Sequence, residues 1–297
     1  MNNGNDYIGM ADKEDKEAIY QIWRDIFISD RLYLSIIFND LYPHLTPFVY
    51  KCKNEVMSTA FALPVSIGRI KGEYIYGVAT KEKARGAGLA SALMNHIATH
   101  FTTLGESFLI VRPAEEHLFG YYMKQGFTLP LNREERRICL ENTGEVSLAR
   151  TRRFSQLSPS FLYKRRAATE SLIYLWPKEI CKTIINLTLL DRGCTCRFRY
   201  RNNDEYIIAR ADYNTPDCVI IEETSLFLER NCNLSDKIIS NILREAALSV
   251  NERAEQIVIY TPATSHAEAC FALAKPLTSS TQIIKKLKAG FFNFTME

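Results

Sequence analysis

The chain has 297 residues, of which 46% are hydrophobic and 24% charged, with a formal net charge of +3. That length is more than one hydrophobic core usually fills and suits two domains of about 150 residues each. So small a charge gives no argument for nucleic acid or an anionic membrane surface, and no run approaches the roughly 18 apolar residues needed to span a bilayer. The start, Met1 to Asp6, is polar and lacks the apolar core of a signal peptide, so a cytoplasmic location is the default expectation. The eight cysteines contain no C-x-x-C pair. Free thiols, buried or half-buried, are expected rather than a disulfide framework. Cys194 and Cys196 would share one strand face. His96 and His100 flank no acidic residue in an H-E-x-x-H pattern and read as surface or groove residues, so no metal is expected.

Asp12 and Asp15 precede a helical pattern in the spacing of a capping box. Ile19, Ile22, Trp23, Ile26 and Phe27 then fall on one helical face. A second helix is predicted from Asp30 to about Leu41, closed by Pro43 and Pro47. Strands follow at Pro47–Lys51, at Val56–Ile67 and at Tyr74–Thr80. Pro64 inside the second of these predicts a bulge or an edge. A helix from about Gly88 to Phe101, a buried strand Phe108–Val111, a helix from Glu115 to Gln125 and a strand or hairpin Phe127–Leu140 complete this half. Residues 143–166, rich in Ser, Thr and Arg, read as a connection between a first domain at 1–142 and a second at 167–297. In that second half come a helix at Trp176–Leu190, a hairpin across Asn202–Asp204, a strand at Cys218–Phe227, a helix at Leu234–Val250 and a strand at Gln256–Tyr260. The order strand, strand, strand, helix, strand occurs in both halves.

Chemistry concentrates between the strand ending at Thr80 and the helix beginning near Gly88. Backbone N–H groups at a helix start are unpaired and the helix dipole favours an anion there. Gly86 and Gly88 allow close approach to the backbone, and Lys83 and Arg85 add positive charge. The loop lacks G-x-x-x-x-G-K-[ST] and the first glycine of G-x-G-x-x-G, which argues against both nucleotide folds.

Tyr74–Thr80 followed by Lys83-x-x-Gly86-x-Gly88-Leu89-Ala90 resembles motif A of the GNAT acetyltransferases, [Q/R]-x-x-G-x-[G/A], with Lys83 where Gln or Arg is usual. Downstream, Tyr122-x-x-x-Gly126-Phe127 resembles their motif B. The pairing of a loop-bearing half with a half lacking the loop is similar to the enhanced-intracellular-survival type, without its sterol-carrier-like third domain. The resemblance implies an α/β (α+β) fold of two GNAT-like domains, each a mixed, mostly antiparallel twisted sheet flanked by helices. It implies N-acetyl transfer from acetyl-coenzyme A, in a ternary complex, to a small-molecule or peptide amine. Val78, Ala79, Thr80, Lys83, Ala84, Arg85, Gly86, Ala87, Gly88, Leu89 and Ala90 would hold the coenzyme. Tyr122 matches the family's general acid; the alternative is a packed aromatic, and Tyr121 is its neighbour and competitor. Glu73, Glu115 and Glu116 are candidate bases, each otherwise a solvated surface carboxylate. Leu228–Leu234, the counterpart loop, has no glycine, so one coenzyme per chain is expected. A coenzyme-binding regulator without catalysis and an acyltransferase acting on a protein amine remain the alternatives, and self-association is left open.

Overall fold

The computed structural model describes residues 6–28, 30–140, 154–169, 172–228, 237–262 and 269–293. The counterpart loop beyond Leu228, Cys232, the first part of the expected connection and residues 294–297 lie outside them. The chain forms two compact units. One joins Met1–Leu131 to Cys270–Ala289, and the other joins Asn132–Ala269 to Gly290–Glu297.

The first half runs β1 (Asp6–Met10), α1 (Asp15–Ile26), α2 (Arg31–Ser35), β2 (Thr46–Cys52), β3 (Glu55–Ile67), β4 (Ile70–Thr80), α3 (Leu89–Thr103), β5 (Phe108–Val111), α4 (Glu116–Lys124) and β6 (Leu129–Cys139). The second runs β7 (Ser155–Gln156), α5 (Pro159–Ala167), β8 (Tyr174–Leu175), α6 (Lys178–Leu190), β9 (Cys194–Tyr200), β10 (Asn203–Ala211), β11 (Cys218–Thr224), α7 (Ser225–Leu228), α8 (Lys237–Val250), β12 (Gln256–Pro262), β13 (Ala269–Pro276) and α9 (Thr281–Ala289). Residues from Ser155 onward, inside the stretch read as a connection, thus form β7 and α5.

Local chemistry explains the element boundaries. Asp12 N–H donates to Asp15 Oδ2 at 2.9 Å, the back-bond of a capping box. Asp30 Oδ1 accepts from the N–H groups of Leu32 and Tyr33 at 2.7 and 2.9 Å, so α2 begins where the sequence places it. A π-helical stretch, Ile36–Leu41, continues α2 to the predicted end.

In the first unit the strand order is β1-β2-β3-β4-β5-β13. Pairing is antiparallel except between β4 and β5. In the second the order is β6-β12-β11-β10-β9-β7, and β11 and β12 alone of the paired neighbours run parallel. The repeat of element order in the sequence is therefore a repeat of topology. The sixth strand of each sheet comes from the other half of the chain: β13 pairs β5, and β6 pairs β12.

Pro64 lies past the end of β2, whose register stops opposite Ala62, and pairs with Glu73 of β4. The bulge falls elsewhere, where Gly77 and Val78 together stand opposite Ala60. Two apolar layers cover the faces of the first sheet. Leu93, Met94, Ile97 and Phe101 of α3 pack with Ile75, Leu109, Val111 and Phe127. On α1, Ile19, Ile22 and Trp23 are buried, and Trp23 stacks on Phe61 at 4.9 Å. Each large apolar side chain so buried stabilises the unit by about 1.5–3 kcal/mol.

The second unit buries Cys196, Phe198, Ile207, Ile221, Ile242 and Leu243 in one cluster. It also buries charge: Arg166 Nη1 lies 3.2 Å from Glu223 Oε2, and the Tyr206 hydroxyl donates to Glu223 Oε1. Among the seven described cysteines all are free, and five are buried or half-buried. Cys139 and Cys270 are exposed, against expectation, because both lie where strand faces meet solvent.

Gly77 has φ +61°, and a Cβ built on it would lie 2.0 Å from the Trp23 ring. Gly77→Ala therefore combines left-handed strain with overpacking and should destabilise the protein by about 2–5 kcal/mol. Chemical denaturation followed by Trp fluorescence measures it.

Candidate functional site

The parallel ladder between β4 and β5 has four pairs, from Gly72↔Phe108 to Ile75↔Val111. β5 ends at Val111 while β4 continues to Thr80, so the two strands part after Ile75. Tyr76, Gly77 and Val78 are half-buried within a strand otherwise mostly buried. They form a partly exposed stretch of β4 beyond its ladder with β5. Ala79 is buried, and its carbonyl accepts from Ser58 Oγ at 2.9 Å. Thr80 Oγ1 bonds the same hydroxyl at 2.9 Å.

The chain then makes a short 3-10 turn at Glu82–Ala84 and enters α3 through Gly86 and Gly88. Gly86 has φ +79° and Gly88 φ +80°, and a Cβ at either would meet nothing within 4 Å. Glycine is thus required here for backbone conformation, with open space in front of it. Leu89 and Ala90 begin α3, so their N–H groups belong to the unpaired first turn. Arg85 Nε donates to the Thr80 carbonyl at 3.3 Å and draws the loop against the strand end. Ala84 is buried, whereas Arg85, Gly86, Ala87 and Gly88 are exposed. The structure therefore brings Val78 to Ala90 together as one continuous edge.

Lys83 differs from the expectation of a free rim charge. Its Nζ lies 2.8 and 2.9 Å from the two oxygens of Glu55, and Lys81 Nζ is 2.9 Å from Glu55 Oε1. These two lysines hold the Glu55 carboxyl down at about 2. Glu55 is a residue that reading the sequence missed. It is the first residue of β3, and only the β3–β4 pairing brings it to the loop.

Tyr122 on α4 is 7% exposed and packs edge-on against Phe127, with ring centroids 5.9 Å apart. Burial, and then the neighbouring Tyr121, raise its phenol above the ordinary tyrosine value. Tyr121 points elsewhere: its hydroxyl lies 3.3 Å from Ser91 Oγ in the first turn of α3, and Gln125 Nε2 donates to that same oxygen at 3.0 Å. Gly126 has φ +89° and ends α4. Lys275 Nζ donates to the Gln125 carbonyl at 2.9 Å and caps the helix.

The three carboxylates separate clearly. Glu115 and Glu116 are exposed, and Glu115 Oε2 lies 3.3 Å from His117 Nδ1. Glu73, read as a surface group, is only 8% exposed. It sits on β4 between Pro64 and Leu109, on the strand face that it shares with Ile75. Burial, reinforced by Glu106, pushes its carboxyl up to about 8. A polar residue in a strand flanked by apolar neighbours carried this signal, but the partner strands that bury it were not legible.

His96 and His100 are half-buried and lie against Phe48, at 6.3 and 5.2 Å between centroids. Among the described residues no group of three or more His, Cys, Asp or Glu could hold a metal ion. None of the described helices is long and apolar enough to cross a membrane.

Residues 16–127 match the profile of the acetyltransferase (GNAT) family. No curated protein matches the chain by sequence. Among solved structures, a conserved protein of unknown function from Enterococcus faecalis V583 is similar with a TM-score of 0.67 at 13% identity, covering 92% of this chain and 73% of that one. A GCN5-related N-acetyltransferase from Anabaena variabilis gives 0.61 at 16% identity, with 91% and 71% covered. Eis1 from Mycobacterium abscessus gives 0.61 at 11%, with 92% and 73% covered. The fold is thus shared along nearly the whole chain, and the segment with the parting strands and the glycine loop is the one that the family profile matches. The chain accordingly carries, at residues 16–127, a segment that matches the acetyltransferase (GNAT) family.

Proposed function

We propose that the first unit transfers acetyl from acetyl-coenzyme A to an amine by direct attack in a ternary complex. The observation that carries this reading is the continuity of the strip Tyr76–Val78 with the helix start at Gly86–Gly88. Strand backbone with a free edge suits the two amides of a pantetheine arm. A helix start in open space suits the pyrophosphate to which that arm is joined. A binding groove for phosphate alone would not need the parted strands.

The free amine attacks the thioester carbonyl, a C–N bond forms and the C–S bond breaks. Backbone N–H groups of β4 beyond Ile75 stabilise the developing oxyanion. Tyr122 supplies a proton to the departing sulfur, and its raised phenol keeps that proton in place at neutral pH. Glu73 accepts the ammonium proton through water. Of the three candidate carboxylates it is the one whose affinity for a proton is matched to the task; Glu115 is exposed and beside His117. Lys83 reaches the coenzyme phosphates only by leaving Glu55.

The second unit is read as a GNAT-like domain without a coenzyme. Its ladder between β11 and β12 also has four pairs and stops at Ile221↔Ile259. Just beyond, the Asn293 side chain donates to the Glu222 carbonyl, and Trp176 Nε1 donates to the Asn293 carbonyl at 3.3 Å. The chain's own residue takes a backbone position that a pantetheine amide would need. The expected location is the cytoplasm.

Tyr122→Phe should lower kcat by about 10²–10⁴-fold, and leave the acetyl-coenzyme A Kd nearly unchanged by calorimetry. Tyr121→Phe should cost much less, and an equal loss in both would move the acid to Tyr121. The native state holds the Glu73 proton more tightly than the unfolded chain does. Stability from this group is therefore greatest below the ordinary carboxyl value and declines as pH rises toward about 8. Glu73→Gln should flatten that decline in denaturation midpoints, and it should also remove the rise in kcat/KM through the same range. Calorimetric titration should give one acetyl-coenzyme A per chain; two equivalent sites would overturn the assignment of the second unit.

A further inference from the structure

The wall of β4 facing α1 and α2 is aromatic. Tyr74 and Tyr76 stack along it at 5.9 Å, and Trp23 lies across Gly77, edge-on to Tyr76 at 5.3 Å and to Phe27 at 4.9 Å. The Tyr33 and Tyr76 hydroxyls are 3.1 Å apart. This wall is not closed. Tyr33 and Tyr76 are half-buried, and Phe27 and Leu32 are 46% and 64% exposed. It borders the same partly exposed stretch, Tyr76–Val78, at which the coenzyme is proposed to end.

Charge says what the wall does not favour. A polycation needs unspent carboxylates. Asp25 is bound to Arg24 at 2.7 Å, and the Asp30 carboxylate caps α2. The cavity between α1 and α2, of about 490 Å³ and lined by none of the wall residues, sets Lys13, Lys16 and Arg31 against Glu14 and Glu17. Lys16 Nζ already lies over the Tyr42 ring, 5.0 Å from its centroid.

We propose that the acceptor is a monoamine carried on an aromatic or apolar body, of the arylalkylamine kind, and not a polyamine or aminoglycoside. This rests on the acetyl-transfer reading of the first unit. The aryl group packs against Phe27 and the Tyr33–Tyr76 pair, where offset or edge-to-face ring contacts are favoured. The amine then stands at the Gly77 bulge. Apolar surroundings favour its neutral, nucleophilic form. Acetyl passes from sulfur to nitrogen, the nitrogen loses a proton, and coenzyme A leaves as the thiol.

The test uses the full chain with acetyl-coenzyme A and a thiol-release assay. Phenethylamine and tryptamine are compared with spermidine and tobramycin. The expected kcat/KM is at least about tenfold higher for the aryl amines. Phe27→Ala should raise the KM for phenethylamine several-fold, without changing the KM for acetyl-coenzyme A. Spermidine or tobramycin turned over as well as the aryl amines, or an unmoved phenethylamine KM in Phe27→Ala, would overturn the inference. Calorimetry separates two further failures. Acetyl-coenzyme A that binds while no aryl amine is acetylated defeats this inference alone. No binding of acetyl-coenzyme A defeats the acetyl-transfer reading and this one with it.

Discussion

Everything at the site depends on how β4 passes Gly77. The left-handed backbone there sets two residues against one of β3, and the indole of Trp23 fills the space where a side chain would be. The bulge comes just after the last pair with β5. A strand that bends at that point cannot keep its parallel partner. The consequence is a short stretch of strand, half-buried and without its β5 partner, inside a well-packed unit. Such a bulge re-aims a strand without a break in the chain, and a β-bulge beside a functional site is a common use of the device.

The two faces of that one strand then receive different chemistry. On the α3 face, Ile75, Tyr122 and Phe127 share an apolar cluster, and Glu73 lies on the same side in surroundings that favour its neutral form. On the α1 and α2 face, aromatic rings line the wall. Burial drives both arrangements. It holds protons on Tyr122 and Glu73 more tightly than water would, and it leaves a wall with little charge. The exposed loop supplies what the core does not, namely open N–H groups and cations, with Glu55 holding two of those cations in place.

Much of this was legible in sequence because it is local. The Asp12–Asp15 and Asp30 caps, the glycines before α3 and the Tyr122 to Phe127 spacing all act within a few residues. Gly86 and Gly88 need no partner to explain them, since their φ angles alone demand glycine. What depended on distant partners was not legible. Glu73 reads as a surface acid until β3 and β5 are placed on either side of it. Lys83 reads as a free cation until Glu55, the first residue of β3, is folded beside it. β1, with one buried residue in five, carries too little pattern to be read at all. The strand or hairpin expected at Phe127–Leu140 is there as β6, but its partner was not legible: Arg133–Cys139 pair residue by residue with β12.

That last pairing bears on how the chain must fold. β6 completes the sheet of the second unit, and β13 completes that of the first. Neither sheet contains only residues of its own half. A chain cut in the middle would leave β5 without β13 and β12 without β6, and each would then present an open edge of unpaired backbone. The contacts that close the two sheets span more than a hundred residues of sequence, which makes their formation slow relative to the local helices and hairpins. The later half of the chain thus completes the first unit: it supplies the strand beside β5, and on that strand Lys275, which donates to the Gln125 carbonyl at the end of α4.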